Sequence, residues 1–249
     1  MKSSHVLWTL LCMGACGGDQ VGTSVGNPPR TTLDLVAYDG SAGAKHGQAA
    51  GVTLDKALLV VDRIRLRDAA NCEGDDRVQI AGPLVADLLG GGVLPAPAPL
   101  PLTGRKFCRF EMRWKQLTPA DTLPAGADPA LAGLSMLVEG RTASGKRFII
   151  RGEFLEDFRL DARGGAFELR AATESLFVAF DYAGWIDAAA VEAGAGDPVV
   201  ISKNDNKTIY MSFRDAVQRS ARLFRDADGD GALGAGEHKD ASALAGGGT

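Results

Sequence analysis

The chain has 249 residues, 45% apolar and 23% charged, which is the balance of a globular domain and excludes a largely disordered chain or a multi-span membrane protein. Lysine and arginine total 27 against 31 aspartate and glutamate, and the resulting net charge of −4 argues against nucleic acid as a partner. Met1-Lys2 gives the chain a positively charged start, and Val6 to Met13 follow as an apolar run. That run is too short to span a bilayer and has the size of a signal-peptide core.

The run ends in Met13-Gly14-Ala15-Cys16. Small residues before a cysteine resemble the lipobox of bacterial lipoproteins, whose cysteine is lipidated and becomes residue one. The resemblance implies a lipoprotein signal peptide over residues 1–15, Cys16 as the lipid acceptor and a membrane held through that anchor. Met13 stands where the lipobox usually has Leu, which leaves an ordinary secretory signal as the alternative. Gly17, rather than Asp, follows the cysteine and resembles an outer-membrane address; a periplasmic or secreted protein is the alternative. Residues 16–30 are rich in Gly and polar residues and read as a flexible tether of about 20 Å reach. Of the cysteines outside this leader, Cys72 and Cys108 remain. An oxidising compartment favours a disulfide between them, with two buried thiols as the alternative. No histidine lies near either, which argues against a metal site there.

From residue 31 to 211 the pattern alternates. Cys108, Phe110, Met112 and Trp114 interleave with Arg109, Glu111, Arg113 and Lys115, the mark of a half-buried antiparallel strand over 105–115. Leu58, Val60, Ile64 and Leu66 are expected to share a face within 54–67. Phe148, Ile150, Phe154, Phe158 and Leu160 share one across 147–161, with Gly152 as a bulge, and Leu176, Val178, Phe180 and Tyr182 do so in 175–182. Shorter strands are expected at 32–37, 77–81, 134–141, 166–171, 198–202 and 207–212. Ala143-Ser144-Gly145 reads as a hairpin turn, and Pro95 to Pro101 as an extended connector. Two short helices are expected, at 83–89 and 186–192. The fold class predicted is mainly β, an antiparallel sandwich of immunoglobulin-like or transthyretin-like form.

The succession DKALLVVDRIRLRD, GPLVADLLGG, a Pro-rich stretch and RKFCRFEMRW, followed by MLVEGRTASGKRFIIRGEF and LFVAFDYAGWID, resembles a group of bacterial lipoproteins found especially in myxobacterium-like genomes. It covers most of residues 31–225. It implies a β-sandwich and a cell-envelope location, and no mechanism.

Residues 212–249 are expected to hold a helix, a calcium loop and a disordered tail. Asp226-Ala-Asp-Gly-Asp-Gly-Ala-Leu-Gly-Ala-Gly-Glu237 fits the D-x-D-x-D-G-x₅-E spacing of an EF-hand loop. Ca²⁺ takes six to eight hard oxygen ligands. Asp226, Asp228, Asp230 and Glu237 offer carboxylates, Ala232 a backbone carbonyl, and Gly231 the sharp turn. Phe213, Ala216, Val217, Ala221 and Phe224 recur at helical spacing before the loop, so a helix is expected to run into it. The segment after it is polar, and no second loop is present to pair with. A structural calcium site is therefore expected, with an acidic solvated tail as the alternative.

The chain contains no phosphate-binding Gly-rich loop, no G-x-S-x-G and no HExxH. A Ser/His/Asp triad would need His46 or His238, both poorly placed. Glu153 with Glu156 and Asp157 are the carboxylates through which an envelope enzyme would act on glycans. Trp185, if exposed, would suit sugar stacking. The reading favoured is a binding or structural protein with no enzymatic activity, whose partner is an envelope protein or a polysaccharide.

Overall fold

A computed structural model describes residues 30–39, 48–49, 51–75, 77–100, 102, 105–169, 173–234 and 236–247. The leader, Cys16, the tether up to Pro29 and His46 lie outside them; Arg30, expected at the end of the tether, begins the first strand. In chain order the strands are β1 (Arg30–Tyr38), β2 (Gln48–Ala49), β3 (Val52–Asp68), β4 (Arg77–Asp87), β5 (Val93–Leu94), β6 (Lys106–Trp114) and β7 (Met136–Thr142). There follow β8 (Arg147–Gly152), β9 (Asp157–Ala162), β10 (Phe167–Glu168), β11 (Thr173–Asp181), helix α1 (Ala188–Ala193), β12 (Val199–Ile201), helix α2 (Lys207–Ser220), β13 (Ala221–Arg225) and β14 (Ala245–Gly246). The protein is mainly β, as expected, with a sandwich-like arrangement.

The strands run β1-β11-β13-β14-β9-β6-β3-β7-β8-β12, with β4 added on β3. Ladders are antiparallel except β1 with β11 and β12 with β8, which are parallel, so the sheet is mixed rather than purely antiparallel. β3 is the corner. Its first half pairs with β7 and its second half with β6, so one 17-residue strand serves both layers. Two register shifts make this possible, at Leu54/Lys56 and at Val61/Arg63. Each adds one residue and flips the side-chain parity. Leu59, Val61, Ile64 and Leu66 therefore enter the main core, whereas Leu58 and Val60 face a second cluster with Leu117, Leu131 and Leu137. The single face expected for Leu58, Val60, Ile64 and Leu66 is thus split by the second shift.

Three other expectations are corrected. Residues 83–89 are not helical: Leu84, Val85 and Ala86 pair with Val61, Val60 and Leu59 in the β3–β4 ladder. A seven-residue helix is marginal by itself, and strand pairing with β3 outweighs it. Residues 207–212 are not a strand but the start of α2, whose Tyr210, Phe213 and Val217 are buried at helical spacing. Gly152 is no bulge; it ends β8, where an added Cβ would lie 2.6 Å from the Phe154 ring and 3.0 Å from Met136 Cβ.

The helix at 186–192 is found as α1, capped by Asp187, whose carboxylate accepts the Ala189 and Ala190 N–H groups. α2 closes one side of the core. Phe154 stacks on Tyr210 at 5.1 Å, and Trp185 meets Phe213 edge-on at 6.0 Å. Trp185 Nε1 donates to Ser220 Oγ at 2.9 Å, satisfying the buried indole. Cys72 and Cys108 form the disulfide, which ties the β3–β4 connection to β6.

Candidate metal centre

β13 carries the acidic loop. It pairs with β11 from Phe180↔Ala221 to Leu176↔Arg225, and the Asp226 N–H extends the ladder by donating to Ser175 O at 3.0 Å. Asp226 is thereby fixed to the sheet and buried. The helix expected to enter the loop ends at Ser220; Ala221, Leu223 and Phe224 sit on a strand instead. After the loop the chain returns as β14, which pairs with β13 and β9. The scaffold is strand–loop–strand, not the helix–loop–helix of an EF-hand, and residues 245–246 belong to the sheet rather than to a disordered tail.

The loop folds on its own carboxylates. Asp226 Oδ1 accepts the Gly229 N–H at 2.7 Å and Oδ2 the Gly231 N–H at 3.0 Å. Both glycines adopt φ of +77°, a left-handed conformation that disfavours a side chain. Glu237 joins the two ends: Oε2 accepts the Gly234 N–H at 2.8 Å, and Oε1 accepts the Ala227 N–H. Asp228 and Asp230 make local turns, accepting the N–H groups of Asp230 at 3.2 Å and Ala232 at 2.8 Å. Leu233 turns inward and packs over the outer side of β11 and β13 with Phe177, Phe224 and Ala243.

Carboxylate oxygens of Asp226, Asp228 and Glu237 lie within 4.8 Å of one another, close enough to hold one metal ion. Asp226 and Glu237 are buried, and Asp228 is exposed. Like charges so close repel, and a cation among them removes that repulsion. Asp230, expected as a ligand, is not in this group; its Oδ1 accepts the Ala232 N–H further round the loop. His238 caps the turn, with Nδ1 2.9 Å from Gly234 O and its ring 5.1 Å from that of Tyr38. Asp240 then clamps the exit, pairing with Arg163 at 2.7 Å and Arg222 at 3.1 Å. Those two arginines hold its carboxyl below the usual range, Arg163 first. The sequence signal for this missed strand was the apolar/charged pattern of 221–225, which the longer helical period before it masked.

The other candidate carboxylates are each paired with a cation. Glu153 pairs with Lys203, Glu156 lies 3.8 Å from Arg214, and Asp157 lies 3.5 Å from Arg63. Trp114 and Trp185 are buried, so neither is a sugar platform. Among the described residues no helix is long and apolar enough to cross a membrane. The chain matches no protein-family model, no curated protein and no solved structure.

Proposed function

We propose that the chain is an exported lipoprotein, anchored through Cys16, whose β-sandwich is a binding or structural module of the cell envelope braced by one Ca²⁺ in loop 226–237. The observation that carries the ion is the convergence of Asp226, Asp228 and Glu237 within 4.8 Å, on a loop closed at both ends by Glu237. An all-oxygen donor set of carboxylates suits Ca²⁺ and disfavours Zn²⁺ or copper, which take imidazole or thiolate. In this reading Asp230 and the Ala232 carbonyl complete the oxygen shell. The role is a staple: the loop joins β13 to β14, so an ion there stabilises the closing strands of the sheet. A sensor needs a paired site and a groove that opens.

Calorimetric titration of the purified protein with Ca²⁺ and with Mg²⁺ tests the site. One saturable Ca²⁺ event, absent in Asp226→Asn and accompanied by a rise in Tm, supports the reading. No heat up to about 10 mM Ca²⁺, beyond the weak range of extracellular modules, rejects it. The anchor is tested separately: lipid labelling that persists in Cys16→Ser would reject it.

A further inference from the structure

The outer face of β4, β3, β6 and β9 is a grid of arginines. Ile64, Leu66, Phe110, Met112, Phe158 and Leu160 point into the core, so the residues alternating with them point outward. Reading across the strands, Arg63 stands opposite Arg113, and Arg67 stands between Arg77 and Arg109. Arg65 lies between Gln79 and Glu111, and Glu111 faces Arg159. Asp157 and Asp161 on β9 and Glu111 on β6 are the acids among them, so arginines outnumber acids in a face of a protein that is acidic overall.

Such opposed like charges destabilise a sheet. Much of the repulsion is relieved locally: Arg67 pairs with Glu111 at 3.1 Å, Arg109 with Asp161 at 2.7 Å and Glu73 at 3.1 Å, Arg63 with Asp62 and Asp157 at 3.5 Å, and Arg77 with Asp75 at 2.7 Å, while Arg65 Nε donates to Gln79 at 2.8 Å. Arg113 and Arg159 have no ion-pair or hydrogen-bond partner among the described residues. Burial, and then the nearby Arg63 and Arg77, push the Arg65 guanidinium below its ordinary value. A groove of about 140 Å³, well below the size of a small-molecule pocket, is lined by Arg63, Arg65, Arg67, Arg113 and Arg159 together with Glu111 and Asp157, so its guanidinium groups outnumber its carboxylates.

We infer that this arginine face binds a linear acidic polysaccharide, whose carboxylates seat on the guanidinium rows. Guanidinium forks match carboxylates two bonds at a time. Along a strand the outward positions recur every ~6.8 Å, and strands lie ~4.8 Å apart, so the face presents a regular array of cations. A polymer with one anion per unit meets such an array, and a single small ligand does not. The face carries no outward aromatic ring on which bases would stack, which disfavours single-stranded nucleic acid. It carries no large apolar anchor of the kind protein interfaces centre on. The inference rests on the proposed envelope location only for the source of the polymer.

The test is binding of polygalacturonate to the full-length protein, with neutral dextran and oligo-dT as comparison polymers. Expected is saturable binding that weakens steeply between about 20 and about 200 mM salt, and falls about tenfold or more in Arg113→Gln/Arg159→Gln. Arg151→Gln, at an exposed position of β8, which pairs with β7 and β12 and not with β6 or β9, is expected to bind as the parent does. The double variant removes the Arg63–Arg113 opposition, so its Tm is expected not to fall, which separates lost contact from lost fold. No binding at low salt, equal binding of dextran, tighter binding of oligo-dT, or an equal loss in Arg151→Gln overturns the inference. Each readout is independent of lipidation and of Ca²⁺, so a failed anchor or ion test leaves this one standing.

Discussion

Asp226 does two jobs that separate on mutation. Its two oxygens each accept a backbone N–H, and one of them belongs to the acidic cluster. Asp226→Ala is expected to lower stability without metal by about 1–2 kcal/mol, since the freed N–H groups of Gly229 and Gly231 are exposed and reach water. Asp226→Asn keeps an acceptor but not the charge. It is expected to recover part of that loss and none of the response to Ca²⁺, read by urea denaturation with and without the ion. Gly231→Ala isolates the backbone: a Cβ there meets nothing within 4 Å, so its cost of about 1 kcal/mol is the left-handed φ alone. Acid reaches a different set of carboxylates. Asp121 is held down to about 2, chiefly by Lys115 and then by the Thr118 N–H and hydroxyl, and Asp240 is held low by Arg163 and Arg222. A depressed carboxylate contributes stability above its unfolded pKa, and that contribution is lost as pH falls through the folded value. Tm is therefore expected to stay level down to about pH 4 and then to drop toward pH 2, with a shallower drop in Asp240→Asn. At this scale the convergence of Asp226, Asp228 and Glu237 was legible, because the spacing of acids within one loop is local. Asp240 was not legible, because its partners Arg163 and Arg222 come from other elements.

Among the elements, α2 is where sequence pattern and tertiary packing disagree most usefully. Thr208 and Ile209 favour a strand locally, yet Tyr210, Phe213 and Val217 line a single helical face against Phe154 and Trp185. Phe213→Ala removes a fully buried ring and is expected to cost about 3–5 kcal/mol, measured by chemical denaturation. The helical period then misleads in the other direction. Ala221 and Phe224 continue it numerically, but pairing with β11 pulls Ala221–Arg225 into the sheet. β4 shows the same override, since Leu84, Val85 and Ala86 are buried one after another and leave no alternation to read. β6, whose Arg109, Glu111 and Arg113 alternate with buried residues, was legible nearly to its ends. β11 was too, because its inward Leu176, Val178 and Phe180 keep the period although Phe177 and Ala179 are covered on the other side; the unbroken buried run of β4 was not.

For the whole molecule, the mainly β, sandwich-like class followed from the spacing of alternating runs and turns. The order of strands did not, because β3 changes layers through two register shifts that no local pattern marks. The Cys72–Cys108 disulfide adds a covalent tie between the β3–β4 connection and β6. Replacing both cysteines by serine is expected to lower unfolding stability by about 3–4 kcal/mol, with the enthalpy of Ca²⁺ binding unchanged because the loop lies elsewhere in the sheet. A loss of ion binding in that variant would show instead that the loop depends on the far end of the fold.

The ladders also set an order of events in time. Arg30 at the start of β1 pairs with Thr173, and Ala162 of β9 waits for Ala245. A chain emerging from its N-terminal side therefore meets the ladder partner of β1 only after most of the domain has followed, with bonds from Thr31 to Leu100 and from Ala37 to Leu88 the earlier ones open to it. Contacts this distant in sequence are slow to form, because long loops must close before any pairing stabilises them. Until that ladder closes, most N–H and C=O groups of β1 lack their final partners, and such groups are open to any free edge they meet. A helper that shields such edges, or rapid arrival of the C-terminal strands, is what this topology demands of its surroundings.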